Sequence, residues 1–146
     1  MIARLGVDDA GELLTVQRAA YVGESMVYDQ FLPPLHETLD EVRAVLSRED
    51  ATVLGLREHG RLLGAVRVMP SGEVARLCVA PDKQGAGVGS SLLRAAIEHG
   101  GTWLFTGDLS AGNLRLYEKH GFVETRREPF GNHNLVFLER AQPPSG

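Results

Sequence analysis

One run of residues limits the possible folds more tightly than any other: Gln84, Gly85, Ala86, Gly87, Val88 and Gly89, set between a β-rich stretch and a helical one. Glycine lets a backbone turn sharply and lie close against a ligand. The first N–H groups of the helix that follows have no partner inside it, so they point outward and favour an anion. The spacing predicts a strand–loop–helix unit able to hold a phosphate or diphosphate; the plainer reading is a tight turn. The chain holds 17 glycines in 146 residues, well above the usual share of roughly 7%.

Two phosphate-binding patterns fail here. A P-loop needs Gly-Lys-Ser/Thr, yet Gly89 is followed by Ser90 and Ser91, and no lysine is placed to reach a terminal phosphate. The dinucleotide fingerprint G-x-G-x-x-G would need glycine where Ser90 stands. It would also need its turn directly after the strand, whereas Pro81 and its neighbours intervene.

Hydrophobic period separates the other elements. Residues 2–5 are a short strand candidate. Asp9 and Glu12 have the spacing of a capping box, and Leu13, Val16, Ala20 and Tyr21 follow at helical spacing, predicting a helix over 9–22. Pro33 and Pro34 exclude a continuous helix through 23–37, which reads as an ordered loop or a broken helix. Thr38 and Glu41 form a second capping box before a helix reaching about Ser47. Residues 52–58, 61–69 and 73–79 are β-rich, with a hairpin signal at His59 and Gly60 and a turn at 70–72. Val88, Leu92, Ala96 and Ile97 mark the next helix, stopped by Gly100 and Gly101. Residues 102–106 read as a buried strand carrying Trp103 and Phe105. Ser110 is expected to cap a helix over 111–120, and 122–128 and 135–140 read as two last strands. The order is β-α-α-β-β-β-α-β-α-β-β, an α+β fold with a largely antiparallel sheet flanked by helices. Strands 73–79 and 102–106, joined through a helix, are expected to be parallel neighbours with a right-handed crossover.

Composition narrows the class. The length suits one domain, placed at residues 1–140, with a polar Pro-rich tail at 141–146 expected to be disordered. A net charge of −4 argues against broad binding to nucleic acid or an anionic membrane. No apolar stretch approaches the ~18 residues of a membrane span, and residues 1–6 lack the apolar region of a signal peptide. The expectation is a cytoplasmic protein with no nucleic-acid or membrane partner. Cys78 is the single cysteine, and His36, His59, His99 and His120 show no metal-ligand spacing, so no metal is expected.

A third pattern fits the glycine loop. Leu77, Val79 and Pro81, then Gln84, Gly87 and Gly89, match in order and spacing the acyl-CoA signature of the GCN5-related N-acetyltransferase (GNAT) family. Asn113 and the run Leu116, Tyr117, Glu118, Lys119, Gly121 and Phe122 resemble that family's second hallmark. The resemblance covers about residues 1–140, with 73–122 its specific part. It implies acetyl-CoA as co-substrate, no metal, and direct transfer of the acetyl group, in a ternary complex, to a primary amine on a small-molecule or peptide acceptor. It places the diphosphate on the backbone of Gly85, Ala86, Gly87, Val88, Gly89 and Ser90, with Gln84 shaping the loop. The pantetheine arm would pair with the backbone of Leu77, Cys78 and Val79 and be held by Asn113, and the Val79 N–H would polarise the thioester oxygen.

By the same resemblance Tyr117, on one helix face with Asn113, contacts the cofactor and protonates the departing thiolate; the bland alternative is a core tyrosine. Passing a phenol proton (pKa ~10) to a thiolate (~8.5) costs about 2 kcal/mol unless it is coupled to another proton transfer. Glu73 lies six residues before Val79, the spacing of the glutamate base in the histone-acetyltransferase branch, though it also suits a solvated turn. Alternation would put Glu73 on one face with Ala75, Leu77 and Val79. Glu24 and His133 are reserve bases. Neutralising an alkyl ammonium at pH 7 costs about 4.6 kcal/mol, against about 1 kcal/mol for an α-amine, so a base matters most for the former. Tyr21, Glu24, Tyr28, Phe31 and His133 would line the acceptor pocket; Gln17, Tyr21, Glu24 and Tyr28 form one stripe if the first helix continues past Gly23. A packed surface with aromatic anchors is the alternative there. The family prior adds a homodimer. The rival to catalysis is an acyl-CoA-binding sensor without turnover, and the acceptor's identity stays open.

Overall fold

The computed structural model describes residues 1–141; apart from Ala141, the tail expected at 141–146 lies outside the described residues. In chain order the elements are β1 Ile2–Arg4, α1 Ala10–Tyr28, α2 Pro33–His36, α3 Leu39–Leu46, β2 Thr52–Glu58, β3 Arg61–Val68, β4 Val74–Val79, α4 Val88–Glu98, β5 Trp103–Gly107, α5 Ala111–Lys119, β6 Phe122–Phe130 and β7 His133–Arg140. This is the expected mixed α+β order, with the one-turn α2 added where Pro33 and Pro34 open a helix that they could not continue.

β3 is the axis of the molecule, buried from Leu62 to Val68 because both faces are covered. Leu62 and Ala65 pack with Leu13, Leu14 and Val42 of α1 and α3, while Leu63 and Val66 pack with Leu92, Leu93 and Ala96 of α4. α1 runs through Gly23 to Tyr28, six residues past the predicted end, and stops where Asp29 turns left-handed at φ 50°. The predicted capping box at its start does not form. Asp9 accepts from the Gly6 N–H (2.8 Å) and pairs with Arg57 (2.8 Å), and Glu12 also pairs with Arg57 (2.7 Å). The box at Thr38 and Glu41 does form, with reciprocal bonds of 3.2 and 2.9 Å.

The strands form two antiparallel sheets, β1-β2-β3-β4 and β5-β7-β6. The parallel pairing expected between residues 73–79 and 102–106 is confined to one end: Glu73 bridges Trp103, and the Thr102 N–H donates to the Gly72 carbonyl (2.8 Å). Past that bridge, no named ladder joins β4 to β5 among the described residues, and the gap between them is open. On β5 the buried side chains are Leu104 and Thr106, not the predicted Trp103 and Phe105. The helices cover the opposite face of this strand, so Trp103 and Phe105 stack instead with Phe137 of β7 (6.4 and 5.4 Å between centroids).

A bulge interrupts β4. Ala65 pairs with Cys78 and Arg67 with Ala75, so Val66 alone faces both Arg76 and Leu77, and Arg76 takes φ 54°. The bulge overturns the predicted alternation. Leu77 and Val79 join Val74 in the core under α4 and α5, whereas Cys78 joins the α1 side. Glu73 and Ala75 therefore do not share a face with Leu77 and Val79.

Candidate active site

Two cavities meet where β4 parts from β5. The first, about 480 Å³, runs from β4 to the glycine loop and the start of α5. The second, about 230 Å³, lies between α1, β4, β5 and the β6–β7 turn. They share Tyr21, Glu24, Leu77 and Asn113.

Of the residues predicted to hold the cofactor, Leu77, Cys78, Val79, Gln84, Gly85, Gly87, Gly89, Ser90 and Asn113 line the first cavity. Ala86, Val88 and Tyr117 do not; Val88 is buried in the core beside Leu92, and Tyr117 lines the second cavity instead. Gly87, at φ 86°, is the residue before α4, and no side chain caps that helix. The first bond to it comes from Ser91 (3.0 Å), which leaves the N–H groups of Val88, Gly89 and Ser90 directed outward. A Cβ built on Gly85 or Gly87 meets no protein atom within 4 Å, so any ligand on the loop approaches bare backbone. Among the described residues no lining side chain of this cavity is cationic. An anion bound here is held by amides and the helix dipole, which fits a diphosphate. The Ser90 hydroxyl is engaged by His120 (2.8 Å), whose pKa is lowered, first by burial and then by Arg94, Lys119 and Arg140.

The second cavity brings together Tyr21, Glu24, Tyr28, Glu73, Tyr117 and His133 from the predicted set. Phe31 is not among them; it is 59% exposed and packs on the His36 ring (4.2 Å). Tyr21 acts on the cofactor side as well, its hydroxyl donating to the Leu77 carbonyl of β4 (3.0 Å). Tyr117 is buried, one helical turn beyond Asn113, and its ring meets Phe122 edge-on. Burial raises the Tyr117 pKa, and the charge of Glu24 raises it further, so the hydroxyl keeps its proton. Burial also lifts Glu73 above the ordinary carboxylate value of 4.5, partly opposed by Arg76. Cys78 is pushed up to about 12 by burial and stays an inert thiol.

A hydrogen-bond chain fixes Glu24. The Leu109 N–H donates to the Tyr28 hydroxyl (3.1 Å), that hydroxyl to Ser110 Oγ (2.6 Å), and Ser110 Oγ to Glu24 Oε2 (2.7 Å). Ser110 was expected to cap α5, but its hydroxyl is committed to this chain and makes no cap. The signal in the sequence is the third helical residue: Asn113 stands where a reciprocal cap would place Glu or Gln. Sequence reasoning also missed the cluster behind β4. Glu37 accepts from Arg67 at 3.0 and 2.5 Å and from Gln17 at 2.9 Å, with Arg76 Nε 3.8 Å away.

Glu37 predicts a pH effect. Burial alone would raise its pKa, but the bonds from Arg67 and Gln17 and the two arginine charges bring it below 4.5. The native value lies below the unfolded one. Its contribution to stability is full above about pH 4.5 and is lost as pH falls through the native value. Urea unfolding between pH 7 and 3 should show a decline starting near pH 4.5. It should be smaller in Glu37→Gln, which begins less stable because Arg67 loses its charge partner.

An open β4 edge beside a glycine loop with outward amides, adjoining a second cavity with acidic and phenolic groups, defines an acyl-transfer fold of the GNAT type. The family model described as "Acetyltransferase (GNAT) domain" matches residues 17–139, and the chain belongs to that family. Among solved structures, the fold is similar to the ribosomal-protein-S18-alanine N-acetyltransferase of Escherichia coli (TM-score 0.79, 18% identity, 100% of this chain and 96% of that one). It is also similar to the PaiA N-acetyltransferase of Thermoplasma acidophilum in complex with coenzyme A (TM-score 0.74, 18% identity, 95% and 98% covered). A spermidine N-acetyltransferase SpeG chimera from Vibrio cholerae and hSSAT aligns with TM-score 0.72 at 16% identity, covering 96% and 94%. No curated protein sequence matched. No helix among the described residues is long and apolar enough to cross a membrane.

Proposed function

We propose that the chain transfers an acetyl group from acetyl-CoA directly to a primary amine. The observation that carries this reading is the meeting of the two cavities at Tyr21, Glu24, Leu77 and Asn113. It offers one chamber for a nucleotide-bearing thioester and another for its acceptor, sharing a wall. Acetyl-CoA supplies the activated acyl group and leaves as a thiol. The loop amides of Val88, Gly89 and Ser90 receive the diphosphate, and the backbone of Leu77 to Val79 with Asn113 aligns the arm. Glu24, held by Ser110, attracts the acceptor's ammonium. Glu73 takes the proton that the amine must lose, and Tyr117 gives one to the departing sulfur. Tyr21, Tyr28 and His133 shape the acceptor side.

Thiol release from acetyl-CoA, measured over a panel of amines, tests the reading. The expected result is acceptor-dependent release together with calorimetric binding of CoA. Binding without acceptor-dependent release across the panel would support the sensor rival, and no binding would end the proposal.

A further inference from the structure

We infer that the acceptor carries an anionic group besides its amine, and that Arg76 receives it; the substrate class is a small zwitterion of amino-acid type. The inference rests on the acetyl-transfer reading and narrows its acceptor.

Arg76 is the bulged residue of β4, and the left-handed φ of 54° that it adopts is uncommon for a residue with a long side chain. Bulges re-aim side chains beside functional sites. This one leaves Arg76 lining the acceptor cavity and absent from the cofactor cavity. A guanidinium brings five N–H donors in a planar fork that matches a carboxylate. Among the described residues the Arg76 side chain makes no hydrogen bond, and its buried Nε has no hydrogen-bond partner.

Its neighbours cannot supply one. The nearest carboxylate is Glu37, 3.8 Å from Nε, and both of its oxygens already serve Arg67 and Gln17. Two arginines thus share one carboxylate, and the Arg76 fork has no carboxylate oxygen within hydrogen-bond distance. Glu73 feels the charge of Arg76 but forms no ion pair with it.

The cavity is therefore two-ended. Glu24 stands at the junction with the cofactor chamber, where the reacting nitrogen must lie, and Arg76 lines the acceptor chamber alone. A volume of about 230 Å³ is about eight times the ~30 Å³ share of one water, room for a small zwitterion. A second ammonium placed at Arg76 would meet like charge.

The test uses matched acceptors: an α-amino acid, its carboxamide and its decarboxylated amine, across apolar, polar and basic side chains. In the wild type the free acid should show a KM at least about tenfold below its two analogues for the best side chain, the scale of one charge-assisted bidentate contact. Arg76→Gln should erase that preference, raising KM for the acid with a smaller change in kcat, and Arg76→Lys should restore part of it. Separately, acetate titrated into the protein without CoA should shift the Arg76 Nε–H resonance, a readout that needs neither turnover nor CoA. Equal or better use of the carboxamide and amine by the wild type would overturn the inference. So would an Arg76→Gln defect of equal size on all three acceptors, which marks a structural arginine. Failure of CoA binding or of transfer to every amine would instead remove the underlying reading, and the acetate titration would remain interpretable.

Discussion

Replacing Tyr117 with phenylalanine should lower turnover by about 10²–10⁴-fold, the range for losing a positioned proton donor, while acetyl-CoA affinity stays within about threefold. The substitution removes one oxygen and keeps the ring that packs against Phe122, so the fold should survive it. Tyr117 lines the second cavity on the helix face of Asn113. Its raised pKa keeps it protonated, the state a donor needs, but makes release to a thiolate harder than for a free phenol. Part of that rise comes from Glu24. An ammonium bound at Glu24 would cancel this part, so on the proposed reading acceptor binding would make Tyr117 a better acid. The defect should accordingly appear in kcat more than in KM for the amine. Single-turnover acetylation and calorimetry with acetyl-CoA read the two quantities apart; unchanged turnover would remove the acid role.

The parts of this site that were legible in the sequence are local ones. Gly87 before a helical period, Pro81 after a β-rich run, and Asn113 with Tyr117 one turn later are patterns within a dozen residues, and they fold as read. What could not be read depends on partners far along the chain. Ser110 looks like a cap until Glu24 and Tyr28, on a helix more than 80 residues earlier, claim its hydroxyl. The bulge at Arg76 follows from the mismatch of β4 against β3, and no residue type announces it. It reverses which side chains share a face after Ala75, so period-two reasoning fails at the one strand where the chemistry is expected. The phase error at Trp103 and Phe105 has a similar origin: both are apolar, and only the placement of α4 and α5 decides that Leu104 goes inward. Gly23 disfavours a long α1 by propensity alone, and the bonds that anchor Glu24 and Tyr28 to Ser110 and Leu109 outweigh it.

Glu73→Gln should cost as much as the loss of Tyr117 when the acceptor is an alkyl amine, and much less when it is a weakly basic one. A base that removes the ammonium proton works against about 4.6 kcal/mol at pH 7 for a pKa near 10.4, but against about 1 kcal/mol near 8. The expected loss is about 10²–10⁴-fold in kcat/KM for the former, shrinking steadily as acceptor pKa falls. Glu73 begins the bridge to Trp103 that closes one end of the gap between β4 and β5, and its half-buried carboxyl is raised above 4.5. A raised carboxylate pKa makes a stronger base, and its proton uptake sets an acidic limb in kcat/KM above the ordinary carboxylate range. That limb should be present in the wild type and absent in Glu73→Gln. Arg76 opposes the rise, so Arg76→Gln should move the limb to higher pH. A Glu73→Gln defect of equal size for strongly and weakly basic amines would assign the residue to holding the sheet junction, and would pass the base role to Glu24, the other carboxylate lining this cavity.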